Sequence, residues 1–272
     1  MSAEHLADAT SRIIGGMTRS THSYGDHASQ LGELFLPAGS GPFGVAVVVH
    51  GGYWKAQYDR SLMTDLCVDL ARHGLAAWNM EYRRVGGGGG WPDSFLDLAA
   101  CVDLLAELDA PLDLESVVAV GHSAGGHLAL WAACRPTLPD HAPGSRPRVR
   151  IAAAASQAGV LDLALAARLM PSSTPTRALL GDPGKHYERY VLASPRERLP
   201  LGIPQLVLHG DRDGTVSLRI ATSYASAARA AGDPCELVVL TATGHYEHID
   251  PGADAWHVAR DWLLAQASAA RS

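Results

Sequence analysis

A serine stands between two glycines in the segment Gly121-His122-Ser123-Ala124-Gly125. The apolar run 117–120 predicts a strand directly before it, and residues 124–133 predict a helix directly after it. A tight strand-to-helix turn strains the serine backbone and crowds the positions two before and two after it, which explains both glycines. Such a turn holds the Ser123 hydroxyl at the positive end of the helix, where it can act as a nucleophile. Taken alone, the segment also fits a glycine-rich turn with a capping serine.

The segment His50-Gly51-Gly52-Tyr53-Trp54 follows another apolar run, residues 45–49. Two adjacent glycines let the backbone approach a bound acyl group and direct N–H groups at it. We therefore predict an oxyanion hole made by the backbone N–H groups of Gly52, Tyr53 and Ala124, which would stabilise a tetrahedral intermediate. His50 is expected to brace the loop through a backbone carbonyl and to take no proton.

Two later segments supply candidate bases and acids, each after a predicted strand. They are His209-Gly210-Asp211-Arg212-Asp213 and Gly244-His245-Tyr246-Glu247-His248. Serine, aspartate and histidine then occur in the chain order that strand ends of one parallel sheet impose. The histidine would take the serine proton and return it to the leaving group, and the carboxylate would fix the imidazole tautomer.

Each of these two roles has a rival residue. Asp213 is favoured over Asp211 because a short turn must carry the carboxylate away from the strand end before it can face the histidine. Asp211 is then expected to cap the loop or to pair with Arg212. His245 is favoured as the base because it directly follows the glycine after the strand, and His248 is its alternative.

Together these motifs resemble those of hormone-sensitive-lipase-like esterases and, more closely, of kynurenine formamidases. The start of the chain, Tyr24-Gly25-Asp26 to Leu34-Phe35-Leu36-Pro37, resembles the opening shared by formamidases and feruloyl or acetyl-xylan esterases. The resemblance covers about residues 24–265 and implies an α/β-hydrolase with a triad of Ser123, His245 and Asp213. The esterases usually carry a third glycine where this chain has Tyr53, so their pocket shape does not transfer.

The elements that must position these residues alternate along the chain. Predicted strands are 33–37, 45–49, 75–80, 117–120, 151–156, 205–209 and 236–240, and predicted helices are 61–73, 93–108, 124–133 and about 254–265. Such alternation implies right-handed crossovers and a mostly parallel central sheet with helices on both faces. The predicted fold class is therefore α/β, of the α/β-hydrolase type.

Two segments interrupt this alternation within what we predict to be a single domain over residues 1–272. Residues 162–200 are rich in Pro, Ser and Arg and predict a small cap insertion with one or two short helices. Residues 86–90 are five glycines, which predict a flexible loop. Trp54, Tyr58 and Trp91 fall near predicted active-site loops and are candidates to line a substrate pocket, although buried packing explains each equally well.

Composition excludes several classes of protein. A net charge of −6 without any run of Lys and Arg disfavours nucleic-acid binding. The chain shows neither a signal peptide nor a membrane span, which predicts no membrane partner and a cytoplasmic location. Its four dispersed cysteines are expected to be reduced core thiols. The histidines show no HExxH pair and no CxxC occurs, so neither a metal nor a cofactor is expected.

The function predicted from these residues is hydrolysis of a small carboxylic ester through an acyl-enzyme. An arylformamidase acting on N-formylkynurenine and an acyltransferase with the same triad remain alternatives. A ligand-binding homologue without catalysis is a further one, although nothing in the triad is missing. The expected partner is a small-molecule ester or amide, and the sequence is compatible with a homodimer.

Overall fold

The computed structural model describes residues 12–14, 16–169 and 175–270, which build a nine-stranded sheet. The strands are β1 (Arg12–Ile14), β2 (Met17–Ser23), β3 (Leu31–Leu36), β4 (Phe43–Val49), β5 (Ala76–Met80), β6 (Leu112–His122), β7 (Ala153–Gln157), β8 (Gln205–Gly210) and β9 (Cys235–Leu240). Their order across the sheet is β1-β2-β3-β5-β4-β6-β7-β8-β9. Pairing is antiparallel from β1 to β5 and parallel from β5 to β9, so the predicted α/β-hydrolase fold is confirmed.

Helices cover both faces of this sheet. They are α1 (Thr64–Arg72), α2 (Asp93–Leu104), α3 (Ala124–Cys134), α4 (Leu163–Leu169), α5 (Pro175–Leu180), α6 (Tyr187–Ala193), α7 (Leu218–Ala230) and α8 (Asp254–Ala269). Alternate residues of the central strands face opposite layers: Val47 packs in the core with α2, α3 and α7, and Val48 packs in the core with α1 and α8. Two hydrophobic layers therefore hold the strand ends, and the loops that follow them, at fixed positions.

Several elements differ from the sequence prediction. Strand β2 was not predicted, because its sequence (MTRSTHS) is polar and half-exposed and lacks the apolar run of a central strand. Strand β6 begins at Leu112 rather than at residue 117, and the first four of the added residues have exposed or half-buried side chains. No helix was predicted for α7, which Ser217 caps by accepting a hydrogen bond from the backbone N–H of Arg219.

The described part of the segment predicted as a cap insertion contains three short helices, α4, α5 and α6, rather than the one or two expected. Its chain is tied to α3 by two hydrogen bonds, from Trp131 Nε1 to Leu192 O at 2.9 Å and between His127 Nε2 and Ala193 O at 2.8 Å. Residues 170–174 of this segment, and residues 1–11 of the N-terminus, lie outside the described residues. Within the described ranges, no helix combines the length and apolar character needed to cross a membrane.

Candidate active site

Ser123 occupies a strained turn between β6 and α3. Its φ of 56° and ψ of −119° are rarely adopted by a residue with a side chain. Close backbone packing on both sides keeps the turn in this conformation. A Cβ on Gly121 would lie 2.1 Å from Gly125 O, and one on Gly125 would lie 2.0 Å from Val49 O. The requirement for two glycines thus holds, but the second one is imposed by the end of β4 rather than by Gly121.

The loop after β4 lies directly against this turn. A Cβ on Gly51 would lie 2.7 Å from His122 O and 3.2 Å from Ser123 Cβ, so only glycine permits the approach. The next residues, Gly52 and Tyr53, have positive φ values of 106° and 56°. No acceptor within the described part of the chain takes a hydrogen bond from the N–H of Gly52, Tyr53 or Ala124. The three predicted oxyanion-hole donors therefore have no internal acceptor among the described residues.

His50 is a buried residue at the base of that loop. Its Nδ1 lies 2.8 Å from Gly51 O, so the predicted contact with a backbone carbonyl is present. The ring stacks on Tyr82, with centroids 4.6 Å apart. Both contacts restrict the backbone from which the Gly52 N–H projects.

Asp213 and His245 form a buried pair. His245 Nδ1 lies 2.7 Å from Asp213 Oδ2, and Asp213 Oδ1 accepts hydrogen bonds from the backbone N–H groups of Thr215 (2.8 Å) and Val216 (2.9 Å). Burial would raise the pKa of Asp213, but the hydrogen bond from His245 and those from the backbone lower it below its ordinary value. An ionised Asp213 therefore orients the His245 ring, and the proton on Nδ1 leaves Nε2 free to accept one.

His122 ties this pair to the serine turn. Its Nε2 lies 2.8 Å from His245 O, and the two rings are 4.5 Å apart. Burial, followed by the charges of His245 and His248, lowers the pKa of His122 to about 3, so the ring is neutral and Nε2 donates its proton to the carbonyl. Sequence reasoning missed this contact, since the two residues are far apart in the chain and no motif connects them.

The rival base, His248, lies near His122 but lacks a carboxylate partner. It is fully buried, and neither of its ring nitrogens has a hydrogen-bond partner among the described residues. Burial, together with the charges of His209 and His245, lowers its pKa to about 4. A neutral, enclosed imidazole without an orienting carboxylate is poorly placed to shuttle protons.

The rival acid, Asp211, is exposed and does not face His245. Its backbone N–H donates to Leu240 O at 2.9 Å, but neither the loop cap nor the Arg212 pair expected for its side chain is formed in the described ranges. A second histidine, which the sequence did not single out, faces Asp213 instead. His209 Nε2 lies 2.9 Å from Val216 O and 3.4 Å from Asp213 Oδ2.

The three candidate pocket aromatics have different environments. Trp54 is only 1% exposed and meets His127 edge-on at 5.3 Å, so it packs in the core and is not retained as a pocket residue. Tyr58 is half-buried against Gly52, and Trp91 is half-buried against Phe95. One exposed aromatic was not predicted. Tyr246 is 65% exposed, and its ring lies 5.2 Å from that of His245.

Comparison with known proteins places this arrangement in a family. Residues 33–227 match the BD-FAE family model, which covers well over half of the chain. The chain belongs to the BD-FAE family. The loops that carry Gly52, Ser123 and Asp213 fall inside the matched range, and the loop of His245 lies beyond it.

The chain is also similar to individual proteins in sequence or in fold. The chain is 28% identical over 223 residues to the probable carboxylic ester hydrolase LipM of Mycobacterium tuberculosis, which matches 78% of this chain but only 51% of LipM. Esterase B of Lactobacillus rhamnosis superposes with a TM-score of 0.82 at 20% identity, over 96% of this chain and 90% of its own. Esterase 2 of Thermogutta terrifontis, with propionate bound, gives 0.71 at 24% identity, over 96% and 95%. These structures show the shared fold of this BD-FAE member.

Proposed function

We propose that this protein is a serine hydrolase that cleaves small carboxylic esters through an acyl-enzyme. The observation that carries the proposal is the buried His245–Asp213 pair, with 2.7 Å between Nδ1 and Oδ2, held beside the strained Ser123 turn by His122. A nucleophile, a base within the same loop cluster and a carboxylate that orients the base are the parts that acyl transfer requires. The name of LipM, a probable carboxylic ester hydrolase, supports an ester as the substrate class.

In the proposed reaction, Ser123 Oγ attacks the ester carbonyl while His245 Nε2 takes its proton. The N–H groups of Gly52, Tyr53 and Ala124 stabilise the resulting oxyanion. The C–O bond to the alcohol then breaks, and His245 returns the proton to the leaving alcohol. Water, deprotonated by the same histidine, attacks the acyl-enzyme and releases the carboxylic acid with regenerated Ser123.

A small acyl group is proposed for two reasons. Ser123 and His245 are only 3% and 7% exposed, which favours a substrate with little bulk around the reacting carbonyl. The structurally similar esterase of Thermogutta terrifontis was solved with propionate, a short carboxylate. A cytoplasmic location is also proposed, on the support that all four cysteines are free and buried, as predicted from the sequence.

The substrate class is tested by parallel kinetics on p-nitrophenyl acetate and N-formylkynurenine. We expect kcat/KM for the acetate ester to exceed that for the formamide by at least about 100-fold. No feature of the site favours an amide over an ester, and the ester bond is intrinsically easier to cleave. A preference for N-formylkynurenine would replace the esterase proposal by arylformamidase. Absence of turnover with both, and of covalent labelling by a fluorophosphonate, would contradict the serine hydrolase itself.

Asp213 and Asp211 form a matched pair of variants that tests the proposed acid. Asp213→Asn should lower kcat on p-nitrophenyl acetate by about 10,000-fold, because an amide in place of the carboxylate favours the wrong tautomer of His245. Asp211→Asn should leave kcat within about threefold of wild type, since that side chain is exposed and makes no hydrogen bond or ion pair with a described residue. Equal losses in the two variants would show that the acid has been misassigned.

A further inference from the structure

Both ring nitrogens of the buried His50 face hydrogen-bond acceptors. Nδ1 lies 2.8 Å from the carbonyl oxygen of Gly51, and Nε2 lies 3.0 Å from Oε1 of Glu81. A neutral imidazole carries one proton, so one of these contacts would set a nitrogen lone pair against oxygen lone pairs. Both contacts become hydrogen bonds only when the ring carries two protons.

Glu81 is built to remain a carboxylate. Its Oε1 accepts hydrogen bonds from the Tyr82 N–H at 2.9 Å and from the Arg84 guanidinium, and its Oε2 accepts one from the Arg60 N–H at 3.0 Å. Burial would raise the pKa of Glu81, but the hydrogen bond and charge of His50, followed by Arg84, lower it below its ordinary value. These donors stabilise Glu81 as an unprotonated carboxylate.

The carbonyl that His50 contacts belongs to the oxyanion loop. Gly51 C=O and Gly52 N–H are the two ends of one peptide group, and Gly51 packs against Ser123. A charged donor on the carbonyl oxygen polarises that peptide and makes its N–H a stronger hydrogen-bond donor, because successive hydrogen bonds reinforce one another. The opposite end of the peptide is the predicted donor to the substrate oxyanion.

We infer that His50 is an imidazolium, held in that state by Glu81, and that it strengthens the oxyanion hole through the Gly51–Gly52 peptide. This inference rests on the proposed function, because the oxyanion arises only in acyl transfer. His50 and Glu81 are positioning residues here: they act through the oxyanion loop, and His50 keeps both ring protons throughout the reaction, so it takes no proton from the nucleophile. The other charged groups around the pair are Arg84, Asp59 and Arg60, whose Nη1 lies 4.0 Å from Glu81 Oε2.

The protonation state is read directly by nuclear magnetic resonance. Protein labelled with ¹⁵N-histidine should show, at pH 7, one ring in which both nitrogens carry protons and which contacts the stacked Tyr82 ring. These signals should be missing from the spectrum of His50→Asn. If that variant does not fold, the signals of the wild-type protein are assigned to His50 by their contact with Tyr82 alone. An unprotonated nitrogen in the His50 ring overturns the inference, whether or not the protein proves to be an esterase.

The effect on the oxyanion hole is measured with Glu81→Gln. We expect kcat on p-nitrophenyl acetate to fall on the order of 10-fold with KM changed by less than about twofold, a part of the loss seen when a whole oxyanion donor is removed. Affinity for phenylboronic acid, which forms a tetrahedral anion on the serine, should fall by a similar factor.

Glu33→Gln provides the matched control. Glu33 is a buried carboxylate in the same ion-pair cluster, bound to Arg19 at 2.7 Å and to Arg60 at 3.1 Å, and it does not contact His50. This variant should retain wild-type kcat and boronate affinity. Wild-type boronate affinity in Glu81→Gln, or equal losses in both variants, would reduce Glu81 to a structural role and contradict the proposed polarisation.

Discussion

Ser123→Ala should lower kcat on p-nitrophenyl acetate by about 10⁴-fold or more and abolish covalent labelling by a fluorophosphonate. The side chain is the proposed nucleophile, and the strained turn that holds it is maintained by contacts of its glycine neighbours rather than by its hydroxyl. The variant should therefore fold with a thermal midpoint at or above that of wild type. The measurements are initial rates, gel-based probe labelling and a thermal unfolding curve on the same preparations.

Ser156→Ala is the control for that experiment. Ser156 Oγ is also buried and close to α3, and it lacks a hydrogen-bond partner among the residues that the structure describes. Its removal should leave labelling and turnover near the wild-type level. Labelling of Ser123→Ala at the wild-type level would place the reactive group elsewhere and end the proposal of a serine nucleophile at this turn.

His245→Gln should lower kcat by a factor similar to that of Ser123→Ala, because the nucleophile and its base act as one unit. Glutamine keeps a polar side chain of similar length but accepts no proton at neutral pH. The double variant Ser123→Ala/His245→Gln should be no slower than either single variant. Additive losses would show that the two side chains act independently and would contradict a shared catalytic step.

His248→Gln tests the rival base in the same loop. The ring is fully buried and neutral, with no carboxylate to orient it, so its loss should change kcat by less than about 10-fold and act mainly on stability. A loss in His248→Gln as large as that in His245→Gln would show that His245 has been wrongly assigned as the sole base.

Much of the site could be anticipated from local pattern. Ser123 and the Gly51–Gly52 pair follow uninterrupted apolar runs, and the position of a loop at the end of a buried parallel strand is decided by that run. The order of Ser123, Asp213 and His245 along the chain follows from the sheet order, since β6, β8 and β9 lie on one side of the switch at β4. The turns depend on residues close in sequence and the chain order on the alternation of strands and helices, which explains why the sequence pattern predicted them.

Other features arise from contacts between distant segments. Trp54 lies beside the oxyanion loop and was a candidate either for the pocket or for buried packing, and in the folded chain it is buried with its ring edge-on to His127. Strand β2 has no apolar run, and its pairing with β1 and β3 makes it a strand. Neither pairing nor side-chain direction is encoded in spacing along the chain.

By itself the sequence determined the fold class, the serine turn and the choice of candidate bases and acids, because strand runs, glycines and chain order are local signals. The sequence also favoured Asp213 and His245 over their rivals, but only the tertiary structure shows which side chains meet. It placed Asp213 rather than Asp211 against His245, enclosed His248, joined His122 to His245 and set His50 between Gly51 and Glu81. Those outcomes depend on which distant groups meet in the folded chain and on whether each buried polar atom finds a partner there.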